Sequence, residues 1–220
     1  MTPRFAQRLG GGEVVLVAYV TVAVSITLFH HLRGVPGLDF FASSPDAVTQ
    51  GRWWALVTSG FLIVPPLMAL QVAALLVLGF VDIRLCGARV FWTAVVLAHF
   101  LGTVLVYCAV WLIGATGLAN MDTVSRQPDY GISLVWFAGI GVLAAALGKR
   151  AWSAGPSPAL RRLLLATATV VPLIVVLFDR PAHYEHVLAL LLSASVVLVP
   201  RRGGHAGQGR RAVRAPRRAL

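Results

Sequence analysis

Carboxylates are scarce in this chain. Asp and Glu together number 8 in 220 residues, and all charged residues make up 12%, where about 25% is usual for a soluble domain. With 58% hydrophobic residues and a mean hydropathy of +0.79, a water-soluble globular fold is excluded on composition. No stretch alternates apolar and polar residues with period two, which argues against a membrane β-barrel. Cysteine is sparse as well. The two present, Cys86 and Cys108, fall toward opposite sides of a membrane in the topology below, so no disulfide is expected between them. The segment after Pro200 contains neither an acid nor an aromatic residue. Its arginines (Arg201, Arg202, Arg210, Arg211, Arg214, Arg217 and Arg218) supply most of the net charge of +11. Without rings for base stacking, nucleic acid is not the expected partner. A basic tail beside a membrane helix instead fixes topology and meets anionic lipid headgroups.

What the sequence does have is long apolar runs, and these point to an all-α polytopic membrane protein in contact with the lipid bilayer. The first run, Val14 to Leu32, is too long for a signal-peptide core. Gly34, Pro36 and Gly37 end it. From Arg33 to Val64 the chain is mixed, and Phe40, Phe41, Trp53 and Trp54 suit a loop lying at a membrane interface. Pro65-Pro66 suits the start of a second helix, expected to end near Val81. At roughly 24 Å that helix is short for a span and is expected to be surrounded by protein. Asp82, Arg84 and Arg89 are assigned to a tight turn. A third helix is predicted over Val90–Ile113, with His99 expected to hydrogen-bond a neighbouring helix. A fourth is predicted over Gly131–Gly148 and a fifth over 163–178, with a kink at Pro172. The sixth begins near His183–His186 and stops at Pro200. These six helices form one membrane domain over 14–200. A short N-terminus (1–13) precedes it, and a basic tail expected to be disordered (201–220) follows it.

The cations test this topology. With both termini inside, Arg33, Arg52, Arg126 and Arg180 are the only Lys or Arg residues left outside, as the positive-inside rule requires. The expected location is a cell membrane with both termini cytoplasmic. No charged residue falls inside a predicted span, which makes a transporter or channel the weaker class.

The stretch Asp129-Tyr130-Gly131-Ile132-Ser133-Leu134 runs from a polar loop into the fourth helix. Ser133 lies 15 residues from Gly148, and His186 lies 14 from Pro200. At 1.5 Å per residue both sit about 21–22 Å above the inner face, at one depth on different helices. A serine and a histidine level with each other have the makings of a nucleophile–base pair. First-turn N–H groups lack intrahelical partners and carry the positive end of the helix dipole, so they suit an oxyanion. Taken singly, a first-turn serine is most often a cap or a small packing residue, and a histidine at a helix end is often just interfacial.

Four pieces, covering about Arg52 to Pro200, resemble the rhomboid superfamily of intramembrane serine proteases and their non-catalytic, derlin-type relatives. Gly131-Ile132-Ser133, followed by Phe137, Ala138 and Gly141, resembles the family's Gly-x-Ser-Gly helix. His186, followed by Ala189 and Ser193, resembles its histidine helix with small residues three and seven positions on. Gly79, Asp82 and Gly87 resemble its Gly–acid–Gly turn. Arg52-Trp53-Trp54 with Thr58-Ser59 resembles the approach to the second helix. Two positions depart from the pattern. Leu134 stands where active members carry glycine, and a branched side chain there is expected to obstruct a substrate carbonyl. Leu67 and Gln71 stand where the family's second helix carries His-x-x-x-Asn.

The resemblance implies a six-helix rhomboid-like bundle and one of two functions. The first is proteolysis of transmembrane substrates near the outer face. Ser133 would be the nucleophile and His186 the base, with the N–H groups of Ser133 and Leu134, the Gln71 amide and the Gly131 turn forming the oxyanion site. Metal and organic cofactor would play no part. The second is non-catalytic binding of transmembrane segments of other membrane proteins, with Gly131, Ser133, Gly141, His186, Ala189 and Ser193 serving to pack the helices.

Overall fold

The computed structural model describes residues 9–33, 37–63, 68–117, 121–153, 155 and 181–199. The predicted fifth helix (163–178, with Pro172), Leu67, the first eight residues and the tail from 200 onward lie outside the described residues. Within them the chain is helical throughout, and no strand forms. The one β-type contact is an isolated antiparallel bridge between Ser43 and Asp129.

Four helices are long and apolar enough to cross a membrane: α1 (Gly11–Arg33), α5 (Met68–Cys86), α6 (Ala88–Thr116) and α8 (Ile132–Ser153). A fifth apolar helix, α9 (Pro181–Leu198), packs chiefly on α8 and α6. Each is free of proline beyond its first residue and rich in residues whose backbone groups only a helix satisfies in lipid. Between α1 and α5 the mixed segment folds into three short helices, α2 (Leu38–Phe41), α3 (Pro45–Thr49) and α4 (Ala55–Thr58), and a 3₁₀ turn over Ser59–Phe61. Ser44 caps α3 by accepting from the Ala47 N–H at 3.0 Å, with Pro45 in the first turn. The loop after α6 holds a further short helix, α7 (Asp122–Arg126).

The larger of two apolar clusters lies at the junction of all five long elements, and a smaller one gathers Val48, Val106, Tyr107 and Val110. Leu16 and Val20 of α1, Leu75 of α5, Phe91 and Val95 of α6, Leu134 and Val135 of α8, and Ala189 of α9 are buried in the larger one. The outward faces carry exposed Leu70, Val77, Val96, Leu112 and Leu191, as hydrocarbon contact demands. Trp53 and Trp54 are exposed at the segment between α1 and α5, and Arg52 lies 5.7 Å over the Phe40 ring.

Three expectations about the second long helix need correction. Asp82, Arg84 and Arg89 are not in a turn, because α5 continues through the first two to Cys86, Gly87 alone separates it from α6, and Arg89 lies in the first turn of α6. Asp82 and Arg84 each meet a neighbouring helix, Arg84 from an exposed position and Asp82 from a buried one. Arg84 pairs with Glu13 of α1, and Asp82 is fully buried against Gly139 of α8. The spans therefore do carry charged residue types, Glu13 and Asp82 among them. Nor is α5 the enclosed helix, since only 28% of its span is buried. The enclosed helix is α8, at 50%, which packs against α5, α6 and α9. Cys86 and Cys108 form no disulfide.

Candidate active site

Ser133 occupies the first turn of α8 and His186 the first turns of α9. Their side chains meet, with Ser133 Oγ 2.8 Å from His186 Nε2. Both residues are half-buried. Phe137 sits one turn beyond Ser133 on the same face of α8, and its ring stacks on the imidazole at a centroid distance of 4.3 Å and an angle of 13°. The histidine is thus held on one face by an aromatic ring and at one edge by the serine hydroxyl. The sequence pattern placed Phe137 in the serine helix but gave it no role. Its spacing of four from Ser133 is the signal that puts it beneath the pair.

The two helices run parallel, with a second rung two turns further along. A Cβ added to Gly141 would lie 2.1 Å from Ser193 Oγ and 2.4 Å from the Leu190 carbonyl oxygen. Ser193 and Ala189 are fully buried, and Ser193 donates to the Leu190 carbonyl at 2.9 Å. Only glycine at 141 lets the α9 backbone come this close. This close approach is what allows a hydroxyl on one helix to reach an imidazole on the other.

The other predicted site residues divide. Gly131 marks the entry to α8, where His99 lies so close that a Cβ would sit 2.4 Å from its ring. His99 donates from Nε2 to the Leu56 carbonyl at 2.8 Å, tying α6 to α4 and filling the space under Gly131. Leu134 departs from expectation twice. Its side chain does not overhang Ser133, because it is fully buried in the core cluster. Its N–H, expected to face an oxyanion, donates to the Gly131 carbonyl at 3.0 Å. Tightening of the first turn accounts for this second change, since an i→i−3 bond consumes a donor that an ordinary helix start leaves unpaired. Gln71 is buried on α5, and its side-chain oxygen has no hydrogen-bond partner among the described residues. No hydrogen bond joins it to the Ser133–His186 pair.

Beside this pair lies a second polar group. Ser43 and Asp129 exchange backbone hydrogen bonds of 2.7 and 3.2 Å, and their side chains approach to 3.5 Å. Burial pushes the Asp129 carboxyl above the usual carboxylate range, with Glu185, His99 and Ser43 pulling back the other way. Among the described residues no group of three or more His, Cys, Asp or Glu side chains is arranged to hold a metal ion.

No family model, curated protein or solved structure matches this chain.

Proposed function

We propose that this chain is a rhomboid-like intramembrane serine hydrolase that cleaves transmembrane segments with Ser133 and His186. The contact that carries the reading is the 2.8 Å approach of Ser133 Oγ to His186 Nε2, with the imidazole stacked on Phe137. In this reading six helices cross a cell membrane with both termini cytoplasmic. The Ser133 end faces outward, and the arginine tail lies against anionic headgroups.

The chemistry follows from the pair. The Ser133 hydroxyl donates to His186 Nε2, which takes the proton as Oγ bonds to the scissile carbonyl carbon. The resulting imidazolium gives that proton to the leaving amine, and a water molecule repeats the sequence to release the acyl group. Phe137 keeps the ring in the plane that serves both transfers. First-turn N–H groups of α8 and the Gln71 amide supply the oxyanion site, without the Leu134 donor. Losing one such donor costs on the order of 10²–10³ in rate, so slow turnover is expected.

The engaged Leu134 N–H and the absence of a histidine from the described turns of α5 favour a second reading, in which the bundle binds transmembrane segments without cutting them. One experiment separates the two. Purified protein in detergent is treated with a fluorophosphonate probe, which bonds only to an activated serine. The protease reading expects labelling that disappears in Ser133→Ala and falls by about 10²–10⁴ in His186→Ala. A folded native protein that stays unlabelled would support the binding reading instead.

A further inference from the structure

The two carboxylates nearest the dyad in sequence meet each other in space. Glu185 directly precedes His186, and Asp129 lies four residues before Ser133. Their carboxyl groups lie within interaction range of each other on the wall of one cavity. Glu185 is 3% exposed, and its Oε2 has no other partner among the described residues. Together they border a cavity of about 80 Å³, which Pro45, Tyr107, Val110 and Gln127 also line. The remaining polar groups that face the pair are Ser43 from the segment before α3, and His99 and Tyr107 from α6. Neither carboxyl makes an ion pair among the described residues. The nearby cation Arg126 lies 3.6 Å from Asp46.

We infer that Asp129 and Glu185 hold one proton between them and act as a positioning pair for the Ser133–His186 dyad. The inference rests on the hydrolase reading above. Two carboxylates this close, with Glu185 buried and Asp129 half-buried, favour the state in which one keeps its proton and donates to the other. Asp129 is fixed to Ser43 by the backbone bridge, and Glu185 is fixed to His186 by the chain. The shared proton therefore ties the loop entering α8 to the first turn of α9, the two places whose separation sets the Ser133–His186 distance. Loss of that proton leaves two negative charges facing each other and pushes those places apart.

The sign of the pH dependence follows from Asp129. Its carboxyl holds its proton in the folded protein above the pH at which an unfolded aspartate, near pKa 4, releases it. Stability from this source is complete below that value and is lost as pH rises toward the folded value. Each proton so linked changes the folding equilibrium about tenfold per pH unit.

The test measures unfolding of the full chain in detergent between pH 4 and pH 8, for the native protein, Asp129→Asn and Glu185→Gln. An amide hydrogen-bonds a carboxylate without needing the shared proton. Both variants should therefore lose most of the decline with rising pH that the native protein shows. Fluorophosphonate labelling supplies the second readout, with Glu185→Ala expected to label at least about tenfold more slowly than Glu185→Gln. Equal pH slopes in all three proteins would overturn the shared proton, and equal labelling of the alanine and glutamine variants would overturn the positioning role. If native protein is not labelled at all, the hydrolase reading falls, and the pH slopes alone then decide whether the pair shares a proton.

Discussion

Replacing Leu134 by alanine is expected to destabilise the protein by about 2–5 kcal/mol and to add nothing to the reactivity of Ser133. Resemblance alone suggests the opposite, namely that trimming this residue toward glycine would clear a path to the serine. The side chain is fully buried among Leu16, Val20, Phe91 and Val95, on the side of α8 that faces the other helices. Truncation there opens a cavity at the junction of five elements, and large-to-small changes at such sites cost about 2–5 kcal/mol. Lipid cannot reach the space, so the lost dispersion contacts are not replaced. Reversible unfolding in mixed detergent would measure the loss, and probe labelling of the same preparations would measure the serine. Unchanged stability with faster labelling would mean that Leu134 covers the nucleophile after all.

Gly141 and Gly148 lie two turns apart on α8, and alanine should act on them in opposite directions. At Gly141 the new methyl group meets the Leu190 carbonyl oxygen at 2.4 Å and Ser193 Oγ at 2.1 Å. A carbonyl belongs to the α9 backbone and cannot rotate away, so the helix itself must move. Overpacking of this kind costs about 1–3 kcal/mol. Because α9 also carries His186, the displacement should lengthen the Ser133–His186 contact and slow probe labelling as well. At Gly148 a Cβ meets nothing within 4 Å, and alanine there should stabilise the helix by about 0.5–1 kcal/mol through backbone entropy. Unfolding of the two variants side by side gives the comparison. Loss of stability at both positions would mean that any substitution on α8 is harmful and that the close contact at 141 is not special.

Both expectations turn on α8, whose role was only partly legible beforehand. The apolar runs located α1, α6 and α8 to within a few residues, because a run of that length in this composition has no other way to satisfy its backbone. The short segments between α1 and α5 were read as an interfacial loop, and their helices were not anticipated. Each is a turn or so long and held by tertiary partners, such as the Thr58 hydroxyl donating to the Phe41 carbonyl at 2.7 Å. The end of α5 was misread for a related reason. Asp82 and Arg84 are polar, and polar residues after an apolar run signal a turn unless something in the fold receives them. Here Glu13 receives Arg84 and Asp82 packs against Gly139 of α8, and neither neighbour can be recognised from the local sequence.

The sequence by itself determined that the chain is helical and membrane-embedded, and that Ser133 and His186 lie at matching heights on their helices. Those conclusions need only hydropathy, helix rise and the positions of glycine and proline, all of which act locally. The tertiary structure decided which of these residues touch. The 2.8 Å Ser133–His186 contact depends on how closely α8 and α9 approach, and that is set by Gly141, Ala189 and Ser193 acting across the interface. It also decided that Leu134 belongs to the core, that its N–H is already engaged, and that Asp129 faces Glu185. Each of these is a relation between segments far apart in the chain, fixed by packing and hydrogen bonding once the helices have come together.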